Sequence, residues 1–200
     1  EKAYEQDTYI LLALQKDYEV ENPEVEDLHS IGTVAKVNHI KKLENGTYRV
    51  LIEGFYRAEW FNEYEKEQFT TVDTYVYEDP ELASNEVEAL MRLLIHQFEK
   101  YAKSSRKISK DTYMSIAQIK EPGRLADMIA SNLPIKTIGK QKILELLDIE
   151  DRLEWLLNSL HNEQEILEME QKIHERVRKA MEQTQKEFDL REQMKAIQTE

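Results

Sequence analysis

The 200 residues include no cysteine. That absence removes disulfides, thiolate nucleophiles and thiolate metal sites together, and it fits a reducing compartment. Glycine and proline are scarce, at 5 and 4 residues, and the glycines are isolated from one another. A phosphate cradle needs consecutive glycines, because backbone N–H groups must reach the anion with no side chain between, so a nucleotide site is excluded on this count. No stretch approaches the roughly 18–20 uninterrupted apolar residues of a membrane helix. The opening EKAYEQD also lacks the basic and apolar regions of a signal peptide. The expectation is a soluble, cytoplasmic protein with no membrane partner.

Positive charge is short as well, with 27 Lys and Arg against 40 Asp and Glu and a net charge of -13. The shortage is uneven: residues 1–80 hold 8 basic and 18 acidic residues, a net charge of -10. Phosphate affinity comes from clustered Lys and Arg, which argues against nucleic acid as a partner of this part. The one basic cluster, Lys103, Arg106, Lys107 and Lys110, has the composition of a solubilising connector.

His29, His39, His96, His161 and His174 offer no pair at the i, i+4 spacing of a helical metal site. His174-Glu175 begins a zincin pattern, but Arg178 occupies the place of its second histidine. Gly139-Lys140 looks like the end of a P-loop, yet Gln141 replaces the Ser or Thr that would meet magnesium, which leaves a helix start. Ser104-Ser105 sits in a polar connector with no nucleophile elbow around it. No catalytic, cofactor-binding or metal residue is nominated.

What is present divides by period. Residues 1–80 read as antiparallel β. Asn45-Gly46 predicts a tight type I′ hairpin between strands over 33–40 and 47–52. Gly54 predicts a bulge or bend before 55–61, a further strand covers 70–77, and the run from Tyr9 to Leu14 looks like a strand already inside a sheet. An upstream segment is therefore expected, and four or more strands predict a small barrel or sandwich. Alternation sends half of Phe55, Tyr56, Trp60 and Phe61 to the core and leaves the rest as a candidate contact surface.

After Asp79-Pro80 the pattern is helical. Asn85 with Glu88 resembles a capping box opening a helix to about Lys103, and 104–107 is a connector. Shorter helices are predicted over 111–119, 122–133 and 139–147, packing as a bundle. From Asp148, the expected cap, to Glu200 there is no proline or glycine. Ile166, Ile173, Val177, Met181 and Phe188 step by 7, 4, 4 and 7, the period of a coiled-coil seam. At 1.5 Å per residue such a helix runs on the order of 75 Å, so it projects. The fold class is α+β: a β lobe over 1–80, a helical lobe over 81–147 and a long helix over 148–200.

Three stretches resemble one family. The run from Leu43 to Gly54, LENGTYRVLIEG, is similar to the L-x-N-G-T-x-R-V-L-V-E-G hairpin of Lon proteases. Glu121 to Pro134 resembles their P-x-R-L-A-D helix, followed by Lys140-Gln141-Lys142-Ile143-Leu144-Glu145. The most specific stretch, Gln185 to Gln198, QKEFDLREQMKAIQ, looks like the segment that precedes the Lon ATPase module, with Phe188-Asp189 in place of a Tyr-Tyr pair. The resemblance implies a PUA-like, partly truncated β lobe, since the family's first strands with their L-P-L-R-type run are missing. It also implies a hexameric, ATP- and magnesium-dependent Ser-Lys protease of misfolded and regulatory proteins, whose AAA+ and protease modules, and so its cofactors, lie outside these residues.

Under that resemblance the stretch is expected to engage unfolded or misfolded substrates and help assembly. Recognising unfolded chains needs accessible apolar surface. The nominated contacts are Phe55, Tyr56, Trp60 and Phe61 on the β lobe and Met181, Phe188, Leu190, Met194 and Ile197 on the long helix. A spacer that sets hexamer geometry without touching substrate is the alternative.

Overall fold

Alternating apolar and polar residues favour extended backbone, and short polar breaks force each strand to return beside the last. The computed structural model describes residues 2–66, 69–80, 84–105 and 107–198, with side chains as far as Lys195. After a one-turn helix α1 (Lys2–Glu5), the strands β1 (Ile10–Leu12), β2 (Ile31–Lys42), β3 (Tyr48–Lys66) and β4 (Phe69–Tyr77) form one antiparallel sheet in the order β1-β2-β3-β4. The sheet stays open instead of closing as a barrel or stacking as a sandwich. Its edges are β4 and a β1 of three residues, too short a ladder to close a ring.

The β2–β3 hairpin lies where Asn45-Gly46 placed it, but its turn differs from the expected type I′. The Gly46 N–H donates to the Leu43 carbonyl at 3.0 Å and the Leu43 N–H to the Thr47 carbonyl at 2.8 Å. Within this loop only Gly46 has positive φ, at 83°. This is a three-residue loop closing on a left-handed glycine. The Asn45 side-chain oxygen accepts from the Thr47 N–H at 3.1 Å and from its hydroxyl at 2.6 Å, which satisfies the loop without a left-handed Asn45. A Cβ on Gly46 would meet nothing within 4 Å, so only the backbone resists substitution. Gly46→Ala is therefore expected to cost about 1–2 kcal/mol, and Gly46→Asn less, in urea titrations followed by circular dichroism.

Gly54 does mark a bulge. The register passes from Val34↔Tyr56 to Ala35↔Gly54, leaving Phe55 unpaired within a continuous strand of 19 residues. A second bulge leaves Asn62, at φ 46°, between the pairs Phe61↔Asp73 and Glu63↔Val72. Such extra residues sharpen the local twist and re-aim neighbouring side chains.

The helices are α2 (Asn85–Ser105), α3 (Lys110–Ala117), α4 (Pro122–Asn132), α5 (Thr137–Glu145) and α6 (Ile149–Gln198). Ser84, one residue before the expected capping box, is the cap of α2: its hydroxyl accepts the Val87 N–H at 3.1 Å. The helix also continues into Ser104-Ser105, and α5 opens two residues before Gly139, while Arg106 of the basic cluster lies outside the described residues. Asp148 caps α6 as expected, accepting the N–H groups of Glu150 at 2.8 Å and Asp151 at 3.2 Å.

The apolar core sits among the helices. Leu94 and Phe98 of α2, Ile116 of α3, Leu125 and Ile129 of α4, and Leu153, Leu156 and Leu160 of α6 are fully buried. Helical spacing sends 94 and 98, and 153, 156 and 160, inward on one stripe each. No sheet residue belongs to that cluster; the sheet's own buried apolar residues are Ile31, Ala35 and Ala58. From Glu168 to Lys195 every side chain of α6 is exposed.

Candidate functional site

Burial on the sheet is confined to a narrow strip, so the expectation that alternation hides half of the four aromatics does not hold. Phe55 and Tyr56 are each 44% exposed and Phe61 is 48% exposed. Phe55 sits at the bulge, edge-on to Tyr9 with ring centroids 5.8 Å apart, and 6.3 Å from Tyr56. Trp60 is half-buried, and its indole N–H donates to the His29 carbonyl at 2.8 Å. A groove of about 1300 Å³ follows the Trp60 face, with Leu11, Val34 and Val72 along it and Glu63 and Glu65 among its acidic residues. An exposed apolar surface with acidic neighbours can take aromatic and aliphatic side chains, most readily from a chain that also carries cations.

Two tyrosines of the sheet are tied to carboxylates. The Tyr64 hydroxyl donates to Asp73 at 2.9 Å and the Tyr77 hydroxyl to Glu59 at 2.7 Å. These hydrogen bonds raise both phenols above their ordinary value, the tyrosinate being disfavoured beside an anion. Both therefore serve as neutral donors.

The long-helix residues form a separate surface with two faces. At 100° per residue Met181 and Phe188 lie about 20° apart, whereas Leu190 sits about 200° round from Phe188 with Met194 about 40° beyond it. All four are exposed, from 60% at Phe188 and Leu190 to 68% at Met181. The side chain of Ile197 lies outside those described. Among the described residues no group of three His, Asp or Glu could hold a metal ion, and no helix is long and apolar enough to cross a membrane.

Beneath the sheet surface lies a polar joint that the sequence reading did not nominate. Arg57 of β3 donates through Nε to the Leu144 carbonyl at 2.7 Å and through a terminal nitrogen to Asp127 at 3.1 Å. Arg152 of α6 is fully buried, donates to both oxygens of Asp79 at 2.9 and 3.1 Å, and reaches the Leu146 carbonyl at 2.9 Å. Burial pushes its guanidinium below the ordinary value, with repulsion from Arg57 adding to the effect. Nearby, Gln141 donates to the Ile31 carbonyl at 2.9 Å and to Glu145 at 3.0 Å, and His29 Nδ1 lies 2.8 Å from Glu145. A charged residue on the otherwise apolar stripe Ile149, Leu153, Leu156, Leu160 is the sequence signal that could have flagged Arg152.

A family model described as the ATP-dependent protease La (LON) substrate-binding domain matches residues 1–162. The chain belongs to the Lon substrate-binding family. The match is to a binding domain and not to a protease or ATPase module. The Lon protease of Brevibacillus choshinensis is 52% identical over all 200 residues, which make up 26% of that protein. Lon protease 1 of Bacillus subtilis (strain 168) is 46% identical over the same span, again 26% of its length. The chain thus spans about a quarter of the curated Lon relatives it matches. The N-terminal domain of Mycobacterium avium complex Lon protease shares the fold at TM-score 0.58 and 19% identity, covering 76% of this chain and 90% of that one. Two Lon-like stretches also supply the joint: 121–134 gives Asp127, and 140–145 gives Gln141 and Glu145.

Proposed function

We propose that these residues are the non-catalytic recognition and assembly region of a cytoplasmic, ATP-dependent serine protease that degrades misfolded and regulatory proteins. In this reading residues 1–80 and 81–147 are two lobes, and 148–200 connect them to an ATPase module. The carrying observation is the density of exposed large apolar side chains on the sheet, Phe55, Tyr56 and Phe61 together with Tyr9 and Tyr75. Unfolded chains differ from native ones in offering apolar groups, and such a surface binds them weakly at many points. ATP and magnesium belong to the proposed ATPase module. The described residues do not fit them, having neither a metal-holding cluster nor a glycine-rich cradle.

A specific observation also favours the spacer reading: the seam Ile166, Ile173, Val177, Met181, Phe188 is exposed along α6 and suits self-association in a homohexamer. The two readings separate experimentally. With a carboxymethylated, permanently unfolded model protein as probe, Phe55→Ser combined with Phe61→Ser should weaken binding at least five-fold by fluorescence anisotropy, with the unfolding midpoint little changed. No binding of the probe by the unaltered chain would leave the spacer reading in place, and unchanged binding in a folded variant would place the contact away from Phe55 and Phe61.

A further inference from the structure

Polar contacts tie the sheet to the helices. No sheet residue enters the helical core cluster, and among the described residues the polar ties include Gln141 on the Ile31 carbonyl, His29 on Glu145, Arg57 on the Leu144 carbonyl, and Arg57 and Arg152 around Asp79 and Asp127. Apolar contacts are non-directional and let surfaces slide, whereas hydrogen-bonded ion pairs fix an angle. One carboxylate is the hub. Asp79 follows β4 by two residues, bonds Arg152 in the first turn of α6, and lies 3.8 Å from Arg57 of β3. It also packs on α4 at Gly123, where a Cβ would overlap the Asp79 carboxylate.

We infer that Asp79 is an orientation joint: by holding Arg57 and Arg152 together it fixes the direction in which α6 leaves the sheet, so that sheet and long helix move as one body. The charges give the reason. The side chains of Arg57 and Arg152 are 5% and 0% exposed, and they repel each other. Asp127, the other carboxylate on Arg57, is 53% exposed. Without the Asp79 charge, Arg57 keeps Asp127 while the buried Arg152 loses its bonded carboxylate and still faces Arg57, and the least costly relief is for sheet and helix to part. With it, a pull on the sheet is carried directly into α6. This geometry is independent of whether the sheet binds unfolded chains.

The chain's lack of cysteine makes a clean test possible. Thr74→Cys on β4 and Glu168→Cys on α6, both at exposed positions, take a pair of spin labels, and electron paramagnetic resonance reads the distance between them. The expected result is one narrow distance distribution in the otherwise unchanged chain and at least a doubling of its width in Asp79→Asn, with helix content by circular dichroism retained. Asp127→Asn, which removes the half-exposed partner, should broaden it less. Glu88→Gln, in an exposed pair with Arg92 on α2, should leave it unchanged. The inference is overturned if Asp79→Asn keeps the narrow distribution or if Glu88→Gln broadens it equally. Loss of helix content in both Asp79→Asn and Asp127→Asn would also overturn it, since the cluster would then be a requirement for folding and not a joint.

Discussion

Phe98→Ala is expected to destabilise the chain by about 3–5 kcal/mol, a large share of the roughly 5–15 kcal/mol that holds a domain folded. The ring is fully buried on α2, 6.4 Å from the ring of Tyr113 on α3 and in the same cluster as Leu125, Leu156 and Leu160. Truncation removes the apolar contact area and leaves a cavity that four helices must deform together to fill. The unfolding midpoint in urea, read by far-ultraviolet circular dichroism, measures the loss. Leu93→Ala on the same helix, at a position 47% exposed, should shift stability by no more than about 0.5 kcal/mol.

Arg152→Ala should cost a similar amount, about 3–5 kcal/mol, for a different reason. It leaves the Leu146 and Leu147 carbonyls without their donor and Asp79 with only the 3.8 Å contact to Arg57. Arg152→Met keeps the volume but still strands the carboxylate. Combining Arg152→Met with Asp79→Leu removes both members of the pair, so the double variant should lose less than the sum of the singles by about 1–3 kcal/mol. A coupling near zero in the double-mutant cycle would show that the two side chains do not share their stability. Such a cycle measures energy; the spin-label distances measure orientation.

Local signals explain what could be read in advance. The change of period at Asp79-Pro80 separated strands from helices, because alternation and 3.6-residue periodicity are properties of neighbouring residues alone. The proline- and glycine-free run after Asp148 gave a helix of 50 residues, and the Asp148 cap is a contact within its own first turn. Motif resemblance gave the family. The turn lies at Asn45-Gly46 but is a three-residue loop and not type I′, held by the hydrogen bond that the Asn45 side chain accepts from the Thr47 N–H.

The aromatics show where sequence stops. Alternation says which residues share a face of β3 but not which face is covered, and burial reaches only a strip around Arg57 and Ala58. Along α6 the 7, 4, 4, 7 spacing set the shared face of Met181 and Phe188, while grouping Leu190 and Met194 with them ignored the angle.

The sequence by itself determined the two periodic halves, the long helix, the absence of thiol chemistry and the family, since each depends on composition or on residues close together in the chain. Only the tertiary structure decided that the sheet stays open, that its aromatics remain exposed, and that Arg57, Asp79, Asp127 and Arg152 meet. Arg57 and Asp127 are 70 positions apart and Asp79 and Arg152 are 73 apart. No local pattern records which distant charges will be buried against each other. That choice is made when the sheet docks on the helices and each buried cation has to find an anion.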